Sequence, residues 1–166
     1  DSEYVNSYLG TKARGFLAFN RGEYSLAVEL FKEILNQNSF DRSLVYYIAK
    51  SYQALGNDVL TKEYYEKSLK ENPSHILSYI DFAKYLLIKH DYANCQRKLR
   101  RALKVDENNL EVLNLLFYVS YILVKDNVCE YNLKETLDIA DKIISLNSEA
   151  FKYPNEKDEL SDLLKK

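Results

Sequence analysis

The 166-residue sequence has no methionine and no tryptophan, and holds only two cysteines, two prolines and four glycines. Two cysteines without a framework exclude a disulfide scaffold and leave the redox compartment open. So few prolines and glycines exclude a linker of any size, and no run of one charge or of low complexity marks a disordered tail. No stretch approaches the roughly 18 to 20 consecutive apolar residues that span a bilayer. The longest, around Leu115 to Val124, is interrupted by Ser120. A formal net charge of −2 gives no electrostatic footprint for nucleic acid or anionic lipid. Without an initiator methionine the chain reads as a processed or excised piece. The compartment is therefore open between the cytoplasm and, behind a removed signal or anchor, the periplasm or a membrane surface. At this length one domain is expected, 1–166, burying about 70% of its unfolded surface.

What is present is a period. Gly22, Gly56 and His90 are spaced by 34 residues, as are Ala27, Thr61 and Cys95, then Phe31, Tyr65 and Leu99. Gly15, Ala49 and Ala83 are small in step, and Leu35, Leu69 and Leu103 are identical. A fixed period of this length marks stacked supersecondary units, none of which buries its apolar face alone. Each unit reads as two short amphipathic helices. In the second, Leu44, Val45, Ile48, Ala49 and Tyr52 recur at helical spacing, Gly56-Asn57-Asp58 breaks the pattern, and Tyr64, Tyr65, Ser68 and Leu69 resume it before Pro73. The small residues let Phe31, Tyr65 and Leu99 seat between the helices of a hairpin, as ridges enter grooves. Phe117 occupies that place in the fourth unit, so different packing is expected there.

Val45, Ile48, Ala49, Tyr52, Thr61, Tyr65 and Pro73 follow the order large, large, small, aromatic, small, aromatic, proline. On these residues the chain resembles the tetratricopeptide repeat (TPR) family. Residues 42–75 fit best and 76–109 nearly as well, with Glu107 where proline is usual. Residues 8–41 fit less well at the front, where Thr11 and Arg14 replace large apolar groups. The resemblance implies an all-α, right-handed α-solenoid of stacked antiparallel helix hairpins, about four repeats closed by a C-terminal capping helix at 155–166, nine helices in all. The stretch before Tyr8 is expected to extend the first helix.

Residues 110–147 form a divergent fourth unit. Lys125-Asp126-Asn127 offers a break after its first helix, and two registers fit its second. In one, Asn127 and Glu130 form a capping box, and Cys129, Leu133 and Leu137 keep the 34-residue step. In the other, Asn132 caps with Glu135, and the helix closes at Lys142–Asn147. The later start is favoured by that ending. It leaves 125–131 as an extended turn offering Val128, Cys129 and Tyr131 as a second contact site.

Catalytic constellations are not found in the sequence. His75 and His90 sit in predicted turns without the paired spacing of a zinc site, so no metal is expected. Cys95 takes a core position. The acid pairs Asp138/Asp141 and Glu156/Glu159 are helix-surface spacings without a pocket signal, and no glycine-rich phosphate loop is present, so no cofactor is expected. The chain is read as a noncatalytic interaction module. A run of Arg97, Lys98, Arg100, Arg101 and Lys104 reads either as a solvated outer face or as a docking patch for an acidic partner.

In the family, first helices line a groove that holds a peptide or helix. Carrying the 34-residue step gives three rows: Lys12, Tyr46, Ile80, Asn114; Phe16, Lys50, Lys84, Tyr118; and Phe19, Gln53, Leu87, Tyr121. Aromatic and aliphatic groups around two central lysines suit a protein segment with apolar anchors and carboxylates. The family's chaperone-tail clamp needs lysine, asparagine and arginine at set places, where this chain has Lys12, Phe16, Tyr47, Leu77 and Asp81. A chaperone C-terminal tail is therefore not expected. Two alternatives stand beside this reading: self-association through an open end of the stack, and RNA binding by a related helical repeat, whose units run one residue longer and are strongly basic.

Overall fold

In the computed structural model, which describes residues 2–37, 41–127 and 129–165, the chain is all-α. Among the described residues nine α-helices follow in order: α1 (Ser2–Asn20), α2 (Tyr24–Gln37), α3 (Ser43–Ala54), α4 (Asp58–Glu71), α5 (Ile76–Ile88), α6 (Tyr92–Ala102), α7 (Leu110–Asp126), α8 (Glu130–Leu146) and α9 (Pro154–Leu164). A short 3-10 turn, Ser148–Ala150, lies between the last two. No helix among the described residues is long and apolar enough to cross a membrane.

Local chemistry explains the alternation. Gly22, Gly56 and His90 have φ of 79°, 72° and 58°. Each closes its helix in the same way. The amide of Gly22, Gly56 or His90 donates to the carbonyl oxygen of Phe19, Gln53 or Leu87, and the following amide donates to that of Ala18, Tyr52 or Leu86. This is the paired closure a left-handed residue makes possible at a helix end. Side-chain oxygens of Asn57, Asp91 and Asn109 then accept the amides of Leu60, Asn94 and Val112, opening α4, α6 and α7.

Packing divides the chain into two compact units, Asp1–Ser78 and Tyr79–Lys166. In the first, α1 packs on α2, α2 on α3 and α3 on α4. Its core holds Ala18, Ala27, Phe31, Ile34, Leu44 and Ile48. A Cβ on Gly15 would lie 2.6 Å from Phe31 Cε1, so the missing side chain is what admits this ring. In the second unit α6 packs on α7, α7 on α8 and α8 on α9. The thiol of Cys95 reaches the Ala83 carbonyl oxygen of α5 at 3.2 Å, the same close approach at a small residue. Burial, with Asp91 nearby, pushes this thiol up to about 12.

The divergent unit departs from the expectation. α7 runs through Lys125 and Asp126, Asn127 ends it instead of capping the next helix, and α8 is already helical at Glu130. Cys129 occupies the N-cap without a side-chain bond. The favoured start at Asn132 and the extended turn over 125–131 are therefore corrected. Both candidate starts lead into one apolar face, so a single 17-residue helix satisfies both, with Leu133, Ala140 and Ile143 buried along it. Glu135 turns outward to Arg100 at 2.9 Å. Cys129 is exposed, whereas Val128 and the side chain of Tyr131 lie outside the described residues. Phe117, fully buried, packs edge-on to Phe151 and stacks against Tyr153. The capping helix spans Pro154–Leu164, slightly offset from 155–166, with Pro154 at its first turn and Leu160 buried.

Candidate functional site

The first helices of the hairpins carry the expected rows, and each unit treats its share differently. In the first unit Lys12 Nζ lies 2.5 Å from Asp41 Oδ2, which also accepts from Tyr8 at 2.6 Å. Ser43 donates to the other carboxylate oxygen at 2.6 Å. Burial pushes the Asp41 carboxyl up, but the hydrogen bonds from Lys12, Ser43 and Tyr8 outweigh it and hold it below its ordinary value. Phe16 and Phe19 are half-buried. Both meet the Tyr47 ring edge-to-face, at 4.8 and 5.5 Å between centroids, so they pack while keeping an open edge. Tyr46 is buried between Tyr47, Tyr65 and His75. The Lys50 ammonium stands 5.7 Å over the Tyr46 ring, and Gln53 accepts from the Tyr65 hydroxyl at 2.7 Å.

In the second unit Ile80 is buried, Leu87 is half-buried, and Lys84 pairs with Glu111 at 2.6 Å. On α7 the expected positions are already in use by the chain's own residues 150–159. The buried Asn114 amide donates to the carbonyl oxygens of Leu110 and Ala150 at 2.8 and 3.0 Å and accepts from the Lys152 amide at 3.1 Å. Tyr118 stacks on Tyr153 with centroids 5.0 Å apart and planes at 20°. Tyr121 and Lys125 both donate to Glu159, at 2.6 and 2.7 Å. Hydrogen bonds from Lys125 and Tyr121 lower the Glu159 carboxyl. One first-helix face thus grips an extended backbone by an amide, an aromatic side chain by stacking, and a carboxylate by a lysine and a phenol. Sequence reasoning missed this occupant. Its signal was Phe151 and Tyr153, two aromatics in an otherwise polar stretch ahead of Pro154.

Among the described residues no group of three or more His, Cys, Asp or Glu side chains is placed to hold a metal. His75 faces Ser78 and Tyr46, and His90 faces Tyr92.

No family profile matches the chain. Among solved structures, the crystal structure of MamA protein superimposes with a TM-score of 0.75 at 13% identity, over 97% of this chain and 86% of that one. The first TPR of Spaghetti (RPAP3), bound to the HSP90 peptide SRMEEVD, superimposes with a TM-score of 0.62 at 20% identity, over 70% of this chain and 93% of that one. The chain has the tetratricopeptide-repeat fold. Curated relatives of the TPR chain include Photosystem I assembly protein Ycf3 from two strains of Prochlorococcus marinus, MIT 9301 and MIT 9215. Each is 42% identical over 62 residues, 36% of this chain. The TPR chain spans 36% of the length of these relatives. The all-α, TPR-like class expected from the period is the class observed.

Proposed function

We propose that this TPR chain is a noncatalytic adaptor whose first-helix faces hold a segment of a partner protein with apolar anchors and carboxylates. The observation that carries the reading is the seat of residues 150–159 on α7. Asn114, Tyr118 and Tyr121 there hold a backbone, a ring and a carboxylate. The same period places Lys12, Phe16 and Phe19 on α1, Tyr46, Lys50 and Gln53 on α3, and Ile80, Lys84 and Leu87 on α5. Phe16, Phe19 and Leu87 offer apolar edges, while Lys50, over the Tyr46 ring, and Lys84, in a solvent-open pair with Glu111, carry the positive charge. The bound peptide in the RPAP3 structure supports the mode. A chaperone tail is not the partner proposed, because Phe16, Tyr47, Leu77 and Asp81 stand where the clamp needs polar or basic groups, and Lys12 is committed to Asp41. Exposed Cys129 is retained as a second contact point.

Selection of peptides from a random library on the folded chain tests this. Selected peptides combine an aromatic or aliphatic residue with Asp or Glu, and lose about tenfold or more in affinity, near 1.4 kcal/mol, against Lys50→Glu/Lys84→Glu. Circular dichroism confirms that the double variant keeps its helical fold, and Lys50→Gln/Lys84→Gln, which places no new carboxylate beside Glu111, loses affinity in the same direction. Peptides that bind the double variant as tightly as the parent overturn the proposal.

A further inference from the structure

α6 turns Cys95, Lys98, Leu99 and Ala102 inward. Lys98 is 6% exposed, with its ammonium 5.1 Å from the Phe82 ring centroid, so one cation of the basic run belongs to the core. At 100° per residue, Ala93, Arg97, Arg100 and Lys104 fall opposite the buried face, with Arg101 alongside. All five are exposed. Their side chains, with Gln96, enclose a surface hollow of about 360 Å³ built from this one helix and the turn after it. Long aliphatic stems of arginine and lysine are what can wall such a hollow, leaving the charged heads at its rim.

The rim already holds one carboxylate. Arg100 Nη2 lies 2.9 Å from Glu135 Oε2, brought by α8. Arg97 engages the side-chain oxygen of Asn94, and Arg101 and Lys104 have no side-chain partner among the described residues. Cations at i, i+4 and i, i+3 repel one another on a helix. The helix dipole offsets this for Arg100 and Arg101 in the last turn of α6, and leaves Arg97 uncompensated. Guanidinium groups favour planar, two-oxygen acceptors. The stripe from Arg97 to Lys104 runs about 10 Å, two helical turns.

We propose that the outward face of α6 is a second docking surface, for an acidic protein segment whose carboxylates recur at one helical turn. Arg97, Arg101 and Lys104 take the carboxylates, and the hollow over Ala93 takes a small apolar side chain. The surface sits on a second helix, so it operates independently of Lys50 and Lys84 and does not rest on the first-helix reading.

The test uses a fluorescein-labelled 14-residue helical peptide with Glu at i, i+4 and i+7 and alanine between, read by anisotropy on the full chain. Binding is expected to weaken as sodium chloride rises from 50 to 200 mM, and to fall at least tenfold in Arg97→Gln/Arg101→Gln/Lys104→Gln. It is expected to persist in Lys50→Glu/Lys84→Glu. Circular dichroism of the triple variant matches the parent, since all three side chains are exposed, and single Arg101→Lys loses part of the affinity at constant charge. No binding of the peptide, equal binding by the triple variant, or tighter binding of a single-stranded RNA of equal charge each overturns the proposal.

Discussion

Two glycines in one helix are expected to answer the same substitution with opposite signs. Gly10 and Gly15 both lie within α1 (Ser2–Asn20). A Cβ added at Gly10 meets nothing within 4 Å, whereas one at Gly15 would lie 2.6 and 2.9 Å from Phe31 Cε1 and Cδ1. Alanine in place of glycine in a helix interior stabilises by about 1 kcal/mol, and Gly10→Ala should realise most of it. Gly15→Ala carries the same gain, but the Phe31 ring must retreat by about 1 Å to restore ordinary carbon contact near 3.5 Å. That ring is fully buried and held by Phe16 at 5.1 Å and Tyr47 at 6.1 Å. Overpacking of this kind costs about 1–3 kcal/mol. Gly15→Ala should therefore be less stable than Gly10→Ala by that amount. Guanidinium unfolding midpoints of both variants measure the difference. In a Phe31→Leu background, which removes the crowded ring atoms, Gly15→Ala should become neutral or stabilising, a coupling that a double-mutant cycle isolates. Equal stabilisation by both alanines, or no coupling to position 31, would refute the seating of Phe31 against α1.

His90 holds a left-handed backbone at φ 58°, so His90→Gly should raise the denaturation midpoint by the equivalent of about 0.5–1 kcal/mol after the loss of its exposed bond to Tyr92; an unchanged or lower midpoint would count against this conformation. Thiol labelling of the folded chain should modify exposed Cys129 quickly and Cys95, 1% exposed and with its thiol pushed up to about 12, only on unfolding. Equal rates would contradict that geometry. The Asp41 carboxyl is held low in the fold, so its contribution is full above the unfolded value of about 4 and is lost as pH falls through the lower folded value. The stability gap between parent and Asp41→Asn should accordingly be widest at pH 7 and close toward pH 3, and a constant gap would exclude the linkage.

Repeat architecture was legible because it is written at fixed spacing. Gly15, Ala49 and Ala83 marked the close approaches, and Gly22, Gly56 and His90 the helix ends, because only small or left-handed-tolerant positions satisfy those geometries. The start of α8 was not legible, since the same apolar face follows both candidate starts and leaves capping chemistry to decide, and Cys129 supplies none. Contacts between residues far apart in sequence were also hidden. Lys12 with Asp41, Lys84 with Glu111, and residues 150–159 with Asn114, Tyr118 and Tyr121 leave no local pattern. The candidate rows were therefore named as positions, while their neighbours became visible only in the fold.

The central claim, that first-helix faces hold a partner segment, is tested most directly by a nitrogen–proton NMR titration with a library-selected peptide. The chain carries Arg97→Gln/Arg101→Gln/Lys104→Gln, so that α6 cannot compete. The account predicts saturable shifts concentrated at Phe16, Phe19, Lys50, Gln53, Lys84 and Leu87 on α1, α3 and α5, with α2 and α4 unmoved. Shifts confined to α2, α4 or α9, with these six positions silent, would contradict it.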